Sequence, residues 1–330
     1  PSDMSTLFQD SAGTTPVTAV EQPVGRILDK SGRGNHATQA TTTKRPVLSR
    51  RVNELLATAT LATQSVTTRA AAYRLVFSGA GSVTLSGTAS GVYGAGTHSV
   101  TCTAGSLTLT VSGTVQDASL TLDTDAHLPY QWVNTATDYD ADPSKFPAYL
   151  RCDGVDDALQ TGNIDFTSTD KMTVWAGSFN TGTTGYHLLS EFGRPASGDV
   201  GTFSHFAALD AVGRVVVLSK AGGSEGSMRF APMPSQPPEI ITYALDASKS
   251  IPAEAVPIFR KNGLPHIKDF SGTFSTASGF GNYPLYIGAR AGTSLYFNGR
   301  LYSLIVRGAQ TPLSRIEATE LYIKQKMRMP

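Results

Sequence analysis

Along most of the chain, apolar and polar residues alternate one for one in short runs broken by glycine and proline. Tyr73-Arg-Leu-Val-Phe77, Ser82-Val-Thr-Leu-Ser86, Ser106-Leu-Thr-Leu-Thr-Val111, Met172-Thr-Val-Trp175, Arg214-Val-Val-Val-Leu218 and Leu301-Tyr-Ser-Leu-Ile-Val306 are such runs. Successive side chains of a strand point to opposite faces, so a period of two marks half-buried strands. The β-branched and aromatic content agrees, and many short strands at close spacing predict a sandwich or barrel. Asn262-Gly263 and Asn298-Gly299 predict turns, because both residues tolerate positive φ. Asp153-Gly-Val-Asp-Asp157 predicts a tight turn between strands. One segment breaks the pattern. Pro312-Leu-Ser-Arg-Ile-Glu-Ala-Thr-Glu-Leu-Tyr-Ile predicts a short C-terminal helix with a capping box between Ser314 and Glu317. Lys324, Lys326 and Arg328 suit the negative end of its dipole.

A length of 330 residues predicts two domains. From Arg51 to Leu120 there are 22 Ser or Thr and five charged residues, with Val, Leu and Phe still alternating. Such a stretch reads as a compact Thr-rich β-module, in which Thr84-Leu-Ser-Gly-Thr88 and Thr110-Val-Ser-Gly-Thr114 are locally similar. The expected organisation is therefore a main domain, 1–50 and 132–330, interrupted by an inserted smaller β-sandwich at 52–131. An acidic connector containing Asp138, Asp140, Asp142, Asp153, Asp156 and Asp157 follows the insert. The formal net charge of +1 argues against a nucleic-acid partner, which needs a basic surplus. No apolar run approaches the roughly 18 residues of a membrane span. Cys102 and Cys152 are too few for a disulfide framework or a thiolate zinc site, and read as single buried thiols suited to a reducing cytosol. The first residue is Pro1, so the numbering is expected to begin inside a longer or processed chain.

Catalytic patterns are thin. The six histidines are widely spaced, without His-x-x-x-His, and no Cys-x-x-Cys, Gly-x-Ser-x-Gly or phosphate-binding Gly-rich signature occurs. Ala221-Gly-Gly-Ser-Glu-Gly226 reads as a loop tip. Asp138-Tyr-Asp-Ala-Asp-Pro143 begins like a calcium loop, but Pro143 stands where glycine is needed, and a solvated linker is the simpler reading. Glycoside hydrolysis needs two facing carboxylates. Glu317 and Glu320 read as ordinary surface charges of the helix, which leaves Asp123/Asp125 or Asp138/Asp140. No metal or cofactor is expected.

Several segments together resemble a known fold family. Asp29-Lys-Ser-Gly-Arg-Gly-Asn-His36, Arg151-Cys-Asp-Gly-Val-Asp-Asp-Ala-Leu159, Val256-Pro-Ile-Phe-Arg-Lys-Asn-Gly-Leu264, Leu285-Tyr-Ile-Gly-Ala289 and Phe297-Asn-Gly-Arg-Leu-Tyr302 are similar to signature strands and hairpins of concanavalin A-like, laminin-G-type jelly rolls. The resemblance implies an all-β jelly-roll sandwich carrying the insert and the short helix. The segment 1–18, the Thr-rich insert and the ending Val306-Arg-Gly to Leu313-Ser-Arg-Ile-Glu-Ala-Thr-Glu320 resemble structural proteins of tailed bacteriophages and prophages, of the tail-fibre or baseplate-associated type. That implies a non-catalytic protein of the virion exterior, made in the host cytoplasm, with other virion proteins and a bacterial surface polysaccharide or receptor as partners. Many phage fibres are trimeric, so a homotrimer is expected. A purely architectural virion protein and a glycan-degrading enzyme on the same fold are the alternatives. A jelly roll presents a concave face with rim loops, where aromatics and polar groups converge. A ligand groove is therefore expected near Trp175, His187, Glu191, Tyr283, Tyr286 and Arg290. Burial in the core is the competing reading of these residues.

Overall fold

The computed structural model describes residues 1–181, 185–193, 203–208, 216–219, 226–229, 238–266 and 269–330. They form two compact units, one of 1–18, 22–48 and 148–329, the other of 19–21, 49–147 and Pro330. The chain is nearly all β, and its larger unit is a sandwich of jelly-roll type.

Two antiparallel sheets build that unit. The ten-stranded sheet runs Leu7–Phe8, Arg26–Ile27, Ala37–Thr38, Leu159–Phe166, Gly281–Ile287, His187–Phe192, Phe203–Ala208, Val216–Ser219, Gly226–Arg229 and Asp269–Gly272 in spatial order. The seven-stranded sheet runs Leu264–Pro265, Ile258–Lys261, Glu239–Asp246, Lys171–Asn180, Asn298–Arg307, Tyr149–Asp153 and Val47–Ser49. Between them Phe192, Phe203, Val217, Met228 and Leu285 of the first meet Met172, Val174, Ile241, Tyr243 and Leu245 of the second. The Phe192 and Phe203 rings stack at 6.0 Å, and Phe203 meets Tyr243 edge-on at 6.4 Å. Burial of each such ring stabilises the fold by about 2–3 kcal/mol.

In the seven-stranded sheet, Glu239–Asp246 and Lys171–Asn180 are buried along almost their whole length, so both faces are covered. The helix Leu313–Met327 covers the outer one. Its buried residues Ile316, Glu320, Ile323 and Met327 share one helical face. A Cβ at Gly177 would lie 2.6 Å from Ile323 Cγ2, so glycine at 177 lets the helix approach the sheet. Two expectations fail at this helix. Pro312 is the N-cap and no side chain caps the first turn, so the Ser314–Glu317 box is not formed. Glu320 is not a surface charge. It is 3% exposed and receives Arg260 Nε at 3.0 and 3.1 Å, while Arg260 also reaches Glu317 at 3.4 Å and the Gly263 carbonyl.

The Asn262-Gly263 turn forms, with φ of 51° and 83°, between Ile258–Lys261 and Leu264–Pro265. Asn298-Gly299 does not make a turn. It opens the strand Asn298–Arg307, and Gly299 pairs with Cys152 and with Asn180. A side chain at 299 would collide with the Phe179 carbonyl, so close strand approach is what requires glycine there. In the 29–36 loop, the Asp29 carboxylate accepts from Ser31 N at 2.8 Å, Ser31 Oγ at 2.7 Å and Asn35 N at 3.0 Å, and thereby closes the loop on itself.

The smaller unit is one five-stranded sheet of Gln64–Thr68, Gly105–Ser112, Ala71–Gly87, Gly91–Cys102 and Gln116–Leu122. The long strand Ala71–Gly87 changes partner midway. Its residues 73–78 pair with Gln116–Leu122 and its residues 82–87 with Gly105–Ser112. The switch is at Gly79, whose φ is +102° and whose Cβ would strike the Thr114 carbonyl. Tyr73, Leu75, Val83, Leu85, Leu107, Leu109, Val100, Leu120 and Leu122 line its core. The unit extends to Pro147, past the expected boundary at 131. The reason is that the acidic connector is not a solvated linker. Tyr139 is fully buried and donates to the Asn53 and Leu55 carbonyls at 3.0 and 3.3 Å, and Asp140 receives Arg50 Nε at 3.2 Å. Asp138 accepts from Thr135 N at 2.7 Å and Asn134 N at 2.9 Å, which holds its carboxyl below the ordinary range and caps a short 3-10 turn rather than opening a calcium loop.

Of the predicted run 214–218, Val216–Ser219 is a strand, while 214–215 lies outside the described residues. So do 182–184 and 221–225, which hold most of the predicted Gly182–Gly185 and Ala221–Gly226 loops.

Candidate functional site

Sheet register sets the geometry of the site. Gln160 pairs with Tyr286, Tyr286 with Glu191, and Glu191 with Ser204, so these four stand in one row across four neighbouring strands. The flanking rows point the other way. Leu285, Phe192 and Phe203 form one, Ile287, Ser190, His205 and Val217 the other, and their apolar members pack into the core. Side chains alternate across a pleated sheet, so the Gln160–Ser204 row faces away from the core.

Polar residues on this outer face are tied together under a loop. The Glu191 carboxylate accepts from Ser204 Oγ at 2.9 Å and from Ala291 N at 3.3 Å, and lies 3.3 Å from Arg290 Nε. These contacts hold the side chain in place beneath the 288–297 loop. That loop holds Gly288, Ala291, Gly292 and Leu295 at φ of 84°, 48°, 68° and 53°. Left-handed backbone at Ala291 and Leu295 is uncommon and needs its surroundings to hold it. Arg290 N bonds Ser294 O at 2.8 Å across the loop, and His187 Nδ1 lies 2.8 Å from Tyr296 O at its far end. Tyr286 is 1% exposed, and its hydroxyl has no hydrogen-bond partner among the described residues. Burial first, and then the Glu191 charge, push that hydroxyl's pKa up. Gln160, beside it, is exposed, as are Thr293 and Ser294.

Of the six residues singled out from sequence, Glu191, Tyr286 and Arg290 come together, with His187 at the edge of the same loop. Trp175 and Tyr283 do not join them. Trp175 belongs to the opposite sheet and is 2% exposed, on the strand face where Gly177 meets the helix. Tyr283 points to the core side, against Phe192 at 5.9 Å. Sheet membership decides Trp175 and strand parity Tyr283, and neither can be assigned before pairing and register are known. Sequence reasoning missed Ser204, Gln160 and the exposed Tyr186. Position 160 shows a signal in retrospect, as a polar residue following the apolar Ala158-Leu159.

A second polar group lies in the 153–157 turn, which carries the chain from Tyr149–Asp153 of one sheet to Leu159–Phe166 of the other. Carboxylate oxygens of Asp153, Asp156 and Asp157 lie within 4.8 Å of one another, the spacing a cation would need. Two of the three already close the turn. Asp153 Oδ1 accepts from Val155 N at 2.8 Å, and Asp157 Oδ2 from Asp153 N at 3.0 Å. Burial and the Asp153 charge raise Asp157 to about 7. Among the described residues no helix is long and apolar enough to cross a membrane.

No family model matches the chain, and no curated protein does. Solved structures of similar fold include the botulinum neurotoxin serotype G binding domain, at 8% identity and a TM-score of 0.39, with 54% of this chain and 43% of that one covered. The chain thus spans less than half the length of that structure. A second is the Ruminococcus gnavus IT-sialidase CBM40 bound to alpha2,3 sialyllactose, at 14% identity and a TM-score of 0.37, covering 49% of this chain and 97% of that one. The T. cruzi calreticulin globular domain matches at 11% identity and a TM-score of 0.37, over 59% of this chain and 83% of that one.

Proposed function

We propose that the chain is a non-catalytic, glycan-binding protein of the exterior of a tailed-phage particle. The observation that carries the binding part is the outer-face row, where the unpartnered Tyr286 hydroxyl lies beside Glu191, Arg290 and the exposed Gln160. Sugars are recognised by hydrogen-bonding groups held in fixed positions, and at this row the exposed Gln160, Thr293 and Ser294 stand over the buried Tyr286 and Glu191 as the groups that can meet one. Glu191 supports a binding role over a catalytic one. Its carboxylate is held by the Ser204 hydroxyl and the Ala291 amide beside the Arg290 guanidinium, and at 2% exposed it is fixed in place under the loop, as a positioning group is. The virion part rests on the resemblance of the terminal segments and Thr-rich insert to phage structural proteins, and a trimer is the assembly that goes with it. A glycan array screened with the chain, followed by R290A and Y286F on any binder, tests the reading. Loss of binding in the variants supports it; unchanged binding in both, or none on the array or on intact bacteria, overturns it.

An architectural virion role is the second reading. Leu313, Leu321 and Tyr322 of the C-terminal helix are each more than half exposed, which suits a contact between subunits. The location of the chain in a particle separates the two: an exposed tip fits adhesion, a buried position fits architecture.

A further inference from the structure

We propose a second sugar-binding site, in the smaller unit, on the paired rings of Tyr130 and Trp132. It is independent of the outer-face row of the larger unit. Tyr130 is 45% exposed and Trp132 48%, while Gln131 is 2% exposed and Val133 0%. That alternation puts both rings on the solvent side of the segment, with Cα atoms about 7 Å apart at two residues' rise of extended backbone.

The segment is rigidly held. Gln131 Oε1 accepts from Val52 N at 2.8 Å and Asn53 N at 3.0 Å, and its Nε2 donates to the Arg50 carbonyl at 3.0 Å. Asn53 Nδ2 donates to Gln131 O at 3.1 Å. Val133 N donates to Thr58 Oγ1 and Thr58 N to Val133 O, both at 2.8 Å. Each buried residue is thus fixed by several bonds, and the two exposed rings are presented on a preformed strip. Ordering cost on binding is low for such a strip.

Size decides the class of occupant. Two half-exposed rings offer roughly 200 Å² of apolar surface. A stable protein interface needs about 800 Å² per partner. A pyranose needs one ring face and a few hydroxyl partners. One such partner stands near: Asp117 is exposed, and its charge acts on the Tyr130 hydroxyl. The occupant is therefore a run of neutral pyranoses along an unbranched oligosaccharide.

The two tryptophans make the test specific, because Trp175 is buried and Trp132 is not. Acrylamide quenching of the intact chain therefore reads Trp132, whether or not the larger unit binds sugar. Cellohexaose, chitohexaose and maltohexaose are titrated at millimolar concentration. Protection of Trp132 by at least one of them is expected, with affinity reduced about ten-fold in Y130A, which keeps the reporter, and a matching loss in W132A by calorimetry. Circular dichroism checks that both variants are folded. No protection by any of the three, or equal affinity in folded W132A, overturns the proposal. Protection that rises with protein concentration in the absence of sugar also overturns it, since a second copy would then be the occupant.

Discussion

Removing the Glu320 carboxylate should weaken the larger unit more than any nearby surface change. Arg260 and Glu320 have side chains 7% and 4% exposed, with two contacts of 3.0 and 3.1 Å between one guanidinium nitrogen and both carboxylate oxygens. E320A would leave the guanidinium buried against the helix with only Glu317, which is 54% exposed, and the Gly263 carbonyl. Breaking a buried ion pair from one side costs about 3–5 kcal/mol. For a unit of this size that is a fall in melting temperature of roughly 10 °C. R260M/E320L, which removes both charges and keeps apolar volume, should recover most of the loss, because burying the pair is itself costly. The assay is thermal unfolding followed by Trp175 fluorescence in a W132F background, so that the signal comes from the sheet under the helix. A loss below about 1 kcal/mol in E320A, as for a solvent-exposed pair, would refute the buried-pair reasoning. So would a double variant less stable than the single one.

Three further outcomes are expected. Asp157 has a folded pKa of about 7, above its ordinary 3.8, so the stability it contributes is fully present below about pH 4 and lost as pH rises through 7. After allowance for solvent screening this is about 1–2 kcal/mol, and urea melts at pH 5 and 8 should show a fall in wild type that is smaller by that amount in D157N; equal falls would exclude Asp157 as the cause. Burial raises the pKa of both the Cys102 and the Cys152 thiol, so neither should react with a thiol-specific disulfide reagent at pH 8 until the chain unfolds, and rapid labelling of the native chain would contradict this. E191A should free Arg290 and Ala291 of the 288–297 loop from the strand beneath, seen as at least ten-fold faster amide exchange at 291, with the core strands unchanged; equal protection would mean that the loop holds itself.

Strand content was legible in the sequence because the period of two is local, and the Asn262-Gly263 hairpin because its turn chemistry is local too. What failed depended on partners distant in sequence. Asn298-Gly299 carries the same dipeptide as the hairpin, yet its glycine answers to the Phe179 carbonyl, more than a hundred residues away. Glu320 reads as a surface charge until Arg260 is seen beneath it. In the site, Glu191 and Arg290 were found because loop signals flank both, but Trp175 was drawn in by its aromatic character, which a buried sheet face uses as readily as a ligand does. The acidic connector misled in the same way, since Tyr139 gives no hint in sequence that its hydroxyl reaches Asn53.

The glycine at 177 has a consequence for how the chain is made. Strand Lys171–Asn180 takes one neighbour from Glu239–Asp246 and the other from Asn298–Arg307, and its outer face receives Ile323 and Met327. During synthesis, more than a hundred residues must therefore leave the ribosome after this strand before its second edge is paired and its outer face is roofed. Until then a flat apolar strand with an open edge is exposed to any similar strand nearby, the situation in which nascent chains on neighbouring ribosomes stick together. Until residues 298–327 have emerged, that edge and that face lack their native cover.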